Sequence, residues 1–350
     1  MKNLFLVLIV LTIVACKSDS KKYALPISSV EIETILEDST LSIRALQILD
    51  SKSLAFGANN NTYGLCDMES NKWLISEQTH DSLNLEFRAI GNNSEDFFML
   101  NVGNPALMFK TSNSGIMELV YKEVHEKVFY DAMAFWNKQE GIAIGDATDT
   151  CLSIIITRDG GNTWQKIPCD KLPDASNGSA AFAASNTNIV VKGSKAWVAT
   201  GGKVSTVLYS GDKGETWEVF QTPIIQGLET TGMYSIDFYD DMIGFAIGGD
   251  YTKPDNNSAN KIRTIDGGKT WELVAENKEP GYRSCVQYIP NSDGKELLAV
   301  GFKGMDYSND NGTTWTHLSD EGFYSIRFLN DSVAYASGQG RVSKLLFKRN

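Results

Sequence analysis

The stretch TRDGGNTW at Thr157–Trp164 recurs three more times with the shared pattern S/T-x-D-x-G-x-T-W. The other copies are SGDKGETW at Ser210–Trp217, TIDGGKTW at Thr264–Trp271 and SNDNGTTW at Ser308–Trp315. Their tryptophans are 53, 54 and 44 residues apart. Weaker copies at Thr111–Glu118 and Cys66–Trp73 lie in phase with them. Repetition at this period predicts a fold built from one supersecondary unit used several times.

Each copy, here called a repeat turn, favours a tight connection between two antiparallel strands, because glycine adopts positive φ without strain. We expect the aspartate to accept backbone N–H bonds within the turn and the tryptophan to pack over the hairpin. The pattern resembles the Asp-box, or BNR repeat, whose residues staple hairpins and seldom carry chemistry. The expected structural residues are Asp159, Gly161, Trp164, Asp212, Gly214, Trp217, Asp266, Gly268, Trp271, Asp310, Gly312 and Trp315.

A second landmark lies upstream in each unit, an apolar strand that ends in glycine. Its copies are Ala55–Gly57, Leu100–Gly103, Ile142–Gly145, Trp197–Gly201, Phe245–Gly248, Leu298–Gly301 and Ala334–Gly338. Another strand precedes each copy, so a unit reads strand A, strand B, strand C, repeat turn, strand D. Four strands in a unit of this length are typical of a propeller blade. The sequence therefore predicts an all-β, seven-bladed β-propeller with four-stranded blades.

The ends of the chain are predicted to close the ring. The seventh unit, Phe323–Asn350, has three strands and no repeat turn. The N-terminal stretch Val30–Leu36 alternates apolar and polar residues, as a half-buried strand does. We expect this N-terminal strand to supply the missing outer strand, which removes an exposed sheet edge. The propeller then covers residues 26–350.

The first residues are typical of an export signal. A short apolar run follows Lys2 and ends in IVAC at Ile13–Cys16. This end resembles the bacterial lipobox, in which the cysteine is lipidated and becomes the first residue of the mature protein. We expect a signal peptide over residues 1–15, and a lipidated Cys16 with a polar tether over residues 16–25. The alternative is an ordinary cleaved signal peptide with an incidental cysteine.

Lipidation would place the protein in the bacterial cell envelope, because a cysteine carrying two or three acyl chains anchors stably to a membrane. Lys17 and Ser18 do not resemble the aspartate that retains lipoproteins at the inner membrane. The outer membrane is therefore expected, and its periplasmic and surface faces both stay open.

Composition argues against several functional classes. The 32 basic and 43 acidic residues give a net charge of −11, whereas nucleic-acid binding requires a basic face. His80, His125 and His317 fall in different repeats without ligand spacing, so no metal site is expected. No cofactor is expected either, because the dinucleotide-binding, C-x-x-C and haem motifs are absent.

The cysteines suggest one disulfide. Cys151 and Cys169 lie on either side of the repeat turn Thr157–Trp164, at equal distances along the chain from Gly160. Residues directly opposed on two strands have Cβ atoms about 4.5–5.5 Å apart, and a disulfide can span such a pair in an oxidising compartment. The alternative is two buried free thiols. Cys66 and Cys285 belong to different blades and are expected to stay unpaired.

The functional face is expected on the side opposite to the repeat turns. C–D turns lie on one side of a propeller, and B–C loops and the starts of strands A lie on the other. Asp146, Asp250 and Tyr251 follow a strand B glycine in such loops, where binding residues can vary without disturbing the fold. The alternative for each of these residues is an ordinary solvated position.

One column of the innermost strands is unusually rich in arginine. Aligned on their apolar pattern, strands A of blades 1, 2, 3, 5, 6 and 7 place in it Arg44, Arg88, Asp131, Ser235, Arg283 and Ser325. Blade 4 aligns poorly, with Ala183 the nearest residue. Neighbouring guanidiniums repel one another unless an anion or carboxylates neutralise them.

We therefore expect a site for an anion or an acidic peptide at the mouth of the central channel. Arginine binds carboxylate or phosphate through two parallel hydrogen bonds. The alternative is that each arginine pairs with an acidic neighbour between blades. The expected binding residues are Arg44, Arg88 and Arg283, with Asp131, Tyr282 and Asp250 around them.

Taken together, these features resemble the Ycf48-like family of seven-bladed propellers, which is related to sialidases through the Asp-box. The closer resemblance is to a group of secreted bacterial propellers of this type. It rests on Ala181–Val190, Gly248–Pro254, Gly281–Ser284 and Gly145-Asp146, and it covers nearly the whole mature chain. It implies a module that binds or assembles other proteins. The arginine column is similar to the arginine patch of Ycf48 and to the arginine triad of sialidases.

A sialidase-like glycoside hydrolase or a carbohydrate-binding protein is the alternative. Sialidases carry an F/Y-R-I-P motif near the start, which this sequence lacks, and their usual ring has six blades. Tyr282 could act as their tyrosine nucleophile, yet no glutamate is obviously paired with it. We therefore favour a binding module in the envelope that recognises a protein partner or an anionic ligand, and leave catalysis open.

Overall fold

The computed structural model describes residues 25–111, 116–175 and 178–350. Regular structure in these ranges is β-strand, apart from one 3-10 turn at Cys169–Lys171. None of it is a helix long and apolar enough to cross a bilayer. The expected signal peptide, Cys16 and most of the tether lie outside the described residues, as does the centre of the weak repeat copy at Thr111–Glu118.

Seven antiparallel sheets form the blades, with strands lettered A to D from the channel outward. Blade 1 comprises Ala45–Ile48, Ser53–Gly57, Thr62–Asp67 and Lys72–Glu77. Blade 2 comprises Phe87–Asn92, Phe97–Asn101, Ala106–Thr111 and Met117–Glu123. Blade 3 comprises Tyr130–Phe135, Gly141–Ala147, Leu152–Thr157 and Gln165–Lys166. Blade 4 comprises Ile189–Lys192, Lys195–Ala199, Thr206–Ser210 and Glu218–Gln221.

The remaining blades follow the same order. Blade 5 comprises Thr231–Phe238, Gly244–Asp250, Lys261–Thr264 and Glu272–Leu273. Two short strands, Ser179–Ala180 and Gly201–Gly202, extend its sheet at Gly232. Blade 6 comprises Cys285–Tyr288, Leu297–Gly301, Gly304–Ser308 and Thr316–Ser319. Blade 7 comprises Ser325–Phe328, the long run Val333–Arg349 and the N-terminal strand Ile27–Ser42.

The long run of blade 7 supplies both strand B and strand C. It turns at Gly340, where φ is 70°. The Phe347 N–H then donates to the Ser332 carbonyl at 2.9 Å, so the end of the run lies beside its start. The N-terminal strand pairs with its outer side, from Ile27 opposite Arg349 to Glu37 opposite Arg341. The predicted closure by an N-terminal strand is therefore confirmed.

The innermost strands complete the circle. Each strand A contacts strand A of the next blade, and blade 7 contacts blade 1 in the same way. Apolar side chains fill the space between blades, as in the cluster of Phe98, Tyr130 and Trp164 between blades 2 and 3. The predicted seven-bladed propeller with four-stranded blades is confirmed.

The repeat turns are built as their residues predict. In the third copy, Asp266 accepts the Thr270 N–H at 3.0 Å and the Thr270 hydroxyl at 2.6 Å. The Gly268 N–H donates to the Thr264 hydroxyl, and the Trp271 indole donates to the Gly268 carbonyl. The aspartates of the other copies make the same bonds. These carboxylates are therefore occupied by the turns they hold.

The third blade carries a covalent link. Cys151 and Cys169 are joined as a disulfide, with Cα atoms 5.4 Å apart. Cys66 and Cys285 are buried free thiols. The disulfide ties the start of strand C to the connection that leaves the blade, on the side that faces the channel mouth described below.

Candidate functional site

The chain between blades 3 and 4 fills the middle of the channel. Residues Ala181–Asn188, here called the plug, lie just before strand A of blade 4. The Ser185 hydroxyl donates to the Ser284 carbonyl of blade 6 at 2.7 Å. The Asn186 side-chain amide donates to the Ile90 carbonyl of blade 2 at 2.9 Å. The plug is thus bound to blades on opposite sides of the ring, and a separate cavity lies on each side of it.

A buried arginine holds the plug in place. Arg327 of blade 7 donates to the main-chain carbonyls of Ser185 and Asn186 at 3.1 and 3.2 Å. The sequence alignment missed this residue. It also placed Ala183 in strand A of blade 4, which is wrong, because that strand is Ile189–Lys192 and Ala183 belongs to the plug.

On the face opposite to the repeat turns, the channel opens into a cavity of about 610 Å³, here called the bowl. A cavity of this volume falls in the range that holds small ligands. Its floor is the start of the plug, and its walls come from connections around the whole ring. The lining side chains include Arg44, Arg88, Phe129, Asp146, Phe182, Glu229, Tyr234, Tyr251, Tyr282, Phe302 and Tyr324.

Arg44 is a cation of the bowl that has no carboxylate partner among the described residues. Its guanidinium carbon lies 4.2 Å from the ring centre of Tyr324. Among the described residues it has no salt bridge, and its buried Nε has no hydrogen-bond partner. Burial, and secondly the positive charge of Arg88, lower the pKa of Arg44. The bowl therefore holds a half-buried guanidinium whose donors are available to a ligand.

The second predicted arginine of the bowl is already neutralised. The Arg88 Nε donates to Glu86 at 2.7 Å, and the guanidinium lies 6.0 Å from the Phe129 ring centre. Arg88 still lines the bowl beside Arg44. Arg88 is therefore paired with an acidic residue of its own blade, whereas the alternative expected such pairs between blades, and Arg44 has no such pair among the described residues.

Arg283 does not belong to the bowl, which corrects the three-arginine site expected from the sequence. It is 4% exposed, and its guanidinium binds Asp306 at 2.5 and 2.7 Å. Asp306 also contacts His317, at 3.0 Å. The structure thus brings together two of the three arginines, and the arrangement expected of a sialidase triad is not formed.

The strand register shows that the residues aligned in the predicted column are not all equivalent. Ala132 of blade 3 and Cys285 of blade 6 are equivalent, since each pairs with the residue before a strand B glycine. Asp131 precedes this position by one residue, whereas Arg283 precedes it by two. The predicted column therefore mixes two positions of the innermost strands, and Arg283 is held away from the bowl by its buried ion pair with Asp306 of the same blade.

One carboxyl group, that of Asp146, lines the bowl, and a second, that of Asp131, is buried. Asp146 accepts the Ala181 N–H of the plug at 2.8 Å, and burial raises its pKa to about 6. Asp131 is 0% exposed, and neither of its oxygens has a hydrogen-bond partner among the described residues. Burial, and secondly the charge of Asp146, raise the pKa of Asp131 well above its usual range. Burial thus favours the neutral form of the Asp131 carboxyl group.

Asp250, another predicted site residue, accepts hydrogen bonds within its own loop and does not line the bowl. It accepts the Thr252 N–H at 3.0 Å and the Thr252 hydroxyl at 2.7 Å. Burial opposes its ionisation, but these hydrogen bonds prevail and lower the pKa of Asp250. The next residue, Tyr251, does line the bowl.

Aromatic side chains form most of the wall, and the sequence reasoning missed most of them. Phe182 of the plug stacks on Tyr234 with ring centres 4.1 Å apart, and Tyr234 meets the edge of Tyr282 at 4.8 Å. Burial raises the pKa of Tyr282 and keeps it neutral. Tyr251 and Phe302 stand at the rim with 48% and 44% of their surface exposed.

A signal for these aromatics was present in the sequence. A tyrosine lies in or just before strand A in each of blades 5, 6 and 7, at Tyr234, Tyr282 and Tyr324. The register makes Tyr234 and Tyr324 the equivalents of Asp131, in place of the serines that the alignment chose. In blades 3 and 5, one extra residue interrupts the pairing of strand A with strand B, and this irregularity is visible only in the structure.

No group of three or more potential metal-ligating side chains comes together within residues 25–111, 116–175 and 178–350. His317 lies between Asp306 and Asp320 at 3.0 Å from each. The hydrogen bond to Asp306 raises the pKa of His317. This cluster is separate from the bowl and completes the environment of the Arg283–Asp306 ion pair.

Fold and site together define a seven-bladed propeller with a plugged channel and an arginine-containing aromatic bowl. Neither a protein-family model nor a curated protein matches the sequence. Among solved structures, the chain is similar to "YCF48 bound to D1 peptide", with a TM-score of 0.65 and 15% identity over 93% of this chain and 98% of that chain.

Two further solved structures share the fold. Ycf48 from Cyanidioschyzon merolae gives a TM-score of 0.62 and 12% identity over 91% of this chain and 98% of that chain. The WD40 repeats of RRP9 give a TM-score of 0.62 and 13% identity over 93% and 99%. These TM-scores show a shared propeller fold, and at identities this low they show the fold alone.

Proposed function

We propose that this protein is a binding module that holds an acidic segment of a protein partner in the bowl. The observation that carries the proposal is the Arg44 guanidinium, which is half-buried, stacked on Tyr324 and without a carboxylate among the described residues. A desolvated cation without a counter-charge is costly. An incoming carboxylate removes that cost and accepts charge-assisted hydrogen bonds.

The surroundings of Arg44 suit a protein ligand. Exposed aromatic side chains and arginine are enriched where protein interfaces gain most of their binding energy. Tyr251 and Phe302 offer such surface at the rim, on rings supported by their neighbours. One similar propeller is described as bound to a peptide, which supports the same class of ligand here.

We also propose that the protein is anchored in the bacterial envelope through a lipidated Cys16, as the lipobox-like IVAC sequence indicates. The chain enters the propeller at Ile27, at the start of an outer strand and therefore on the face of the repeat turns. An anchor there leaves the bowl facing away from the membrane. Cys16→Ser is expected to release the protein into the soluble fraction; unchanged membrane retention would contradict the anchor.

Binding in the bowl is tested by comparing two arginine variants on an array of twelve-residue peptides drawn from exported proteins of the source organism. Wild type is expected to retain acidic peptides. Arg44→Gln should weaken retention roughly tenfold or more, since a hydrogen bond to a charged group contributes about 1.5–3 kcal/mol. Arg158→Gln, on the repeat-turn face, is the control and should bind as wild type does.

The same assay separates the carbohydrate alternative. N-acetylneuraminate and a panel of sialosides serve as probes for binding and turnover. Retention of peptides that is insensitive to Arg44→Gln would overturn the proposed site. Sialoside turnover without peptide binding would favour the glycosidase alternative over a binding module.

A further inference from the structure

A second cavity adjoins the bowl and shares two of its side chains. Its volume is about 480 Å³, and Phe302 and Tyr324 line both cavities. Here called the side groove, it lies between the turn at Gln339–Gly340 of blade 7 and the end of the N-terminal strand at Glu37 and Ser39. The bowl and the side groove therefore form one path from the channel mouth to the outer edge of blade 7.

Each part of this path is large enough for a separate small ligand. A compact solute would fill the bowl and leave the side groove empty. An extended polypeptide segment fits the two in series, because its side chains occupy successive pockets along one direction. The shared residues Phe302 and Tyr324 provide aromatic surface at the passage between them.

The charges along the path differ from end to end. The bowl presents Arg44, which has no carboxylate partner among the described residues. In the side groove, Arg341 is already neutralised by Glu321 at 2.5 Å and stacks on Phe323 at 4.4 Å. Glu37 is exposed and forms no ion pair within the described part of the chain. Within the described residues, Arg44 is thus a positive charge without an ion pair at the centre, where Asp146 and Glu229 also line the bowl, and Glu37 is a negative charge without an ion pair at the outer end.

We infer that the ligand of the proposed site is an extended peptide segment with an acidic residue at Arg44 and a basic or polar residue several positions away, at Glu37. The segment passes between Phe302 and Tyr324 and leaves the propeller over blade 7. This inference rests on the proposed binding function and adds the ligand's path and its order of charges. Electrostatic complementarity of this kind fixes the direction in which a segment binds.

The experiment compares a long and a short ligand on matched variants. The probes are the best twelve-residue peptide from the array and a six-residue fragment that keeps its acidic residue, both measured by fluorescence anisotropy. Gln339→Trp obstructs the side groove at an exposed turn. Gln139→Trp places the same side chain on an exposed turn of the opposite face and serves as the control.

Gln339→Trp is expected to weaken the long peptide at least tenfold and to leave the short fragment unchanged. Glu37→Lys should weaken the long peptide severalfold by reversing the charge at the outer end. If the long peptide binds Gln339→Trp as it binds wild type, the path through the side groove is wrong while the bowl remains. If Arg44→Gln leaves both peptides unaffected, the proposed function itself fails.

Discussion

Two arginines of the same predicted column show how one residue type takes opposite roles. Arg283 lies in a buried ion pair with Asp306, whereas Arg44 faces a cavity without a counter-charge. The first is part of the fold, because its charge is matched inside the protein. The second is costly to the fold and useful to a ligand, as is common for binding residues.

Methionine substitutions should separate these roles. Arg283→Met leaves Asp306 buried with only His317 as a partner, and breaking a buried pair in this way costs about 3–5 kcal/mol. Arg44→Met removes an unpaired charge and a contact with Tyr324, and its free energy of unfolding should change by less than about 1 kcal/mol. Urea denaturation measures both. Equal losses of stability would contradict the assignment of Arg44 to a ligand.

Asp146 makes a pH-dependent contribution whose sign follows from its raised pKa of about 6. Between the ordinary aspartate pKa and about 6, the unfolded chain loses this proton before the folded protein does. The contribution of Asp146 to stability therefore falls as the pH rises through that window. Asp146→Asn keeps an oxygen for the Ala181 N–H and has no proton to lose.

The stability of Asp146→Asn relative to wild type should accordingly increase from about pH 4 to about pH 6 and then level off. Asp250→Asn is the control with the opposite sign, because hydrogen bonds from Thr252 prevail over burial and lower the pKa of Asp250. Its relative stability should decline as the pH rises. Urea titrations at several pH values give both curves, and a flat difference for Asp146→Asn would disprove its assignment.

At the scale of strands and turns, the repeat turns join neighbouring blades as well as their own strands. Gly268 has φ of 86°, and a Cβ there would lie 2.9 Å from Trp197 in the preceding blade. Gly312 is placed in the same way against Phe245. The glycine of the pattern is thus required by backbone conformation and by close packing together.

Gly268→Ala should therefore destabilise the protein by roughly 2–4 kcal/mol, through strain at positive φ and through the displaced indole. Gly193→Ala is the matched control, since Gly193 also has positive φ, 59°, but open space around it. It should cost about 1 kcal/mol. Similar losses for both variants in thermal unfolding would mean that the contact with Trp197 contributes nothing.

The sequence predicted those elements that are held by their own residues. It did not predict those held by contacts with residues far away in the chain. Each repeat turn supplies the hydroxyl and the carboxylate that hold its own backbone, so TRDGGNTW predicts its own hairpin. The plug is held by Ile90, Ser284 and Arg327 from three other blades, and nothing within its own sequence indicates those partners. A cavity lies at the channel mouth that the sequence indicated, but the apolar pattern could not align the innermost strands, because those of blades 3 and 5 contain an extra residue that the others need not share.

At the scale of the whole molecule, the ring depends on pairing between the two ends of the chain. Ile27, Leu345 and Phe347 pack in one cluster with residues of blade 6. The Asn350 N–H also lies 3.4 Å from the Pro26 carbonyl, so both ends meet on the repeat-turn face. Without the N-terminal strand, blade 7 would present an open sheet edge.

A chain that begins at residue 38 should show this dependence. Loss of the closing strand exposes Leu345 and Phe347, and we expect a fall in melting temperature of roughly 10 °C or more together with concentration-dependent association. A chain that begins at residue 25 is the control and should melt as the full chain does. An unchanged melting temperature on starting at residue 38 would show that the ring holds without its closing strand.

In the proposed function, the bowl, and not the opposite face, engages a protein partner through Arg44. Site-specific photocrosslinking in intact cells tests it most directly, with the crosslinker in place of Tyr251 at the rim or of Ile265 on the repeat-turn face, both exposed. We predict one discrete crosslinked protein from position 251, its loss on Arg44→Gln, and no such product from position 265. Equal products from both positions, or a product at position 251 that persists with Arg44→Gln, would contradict the claim.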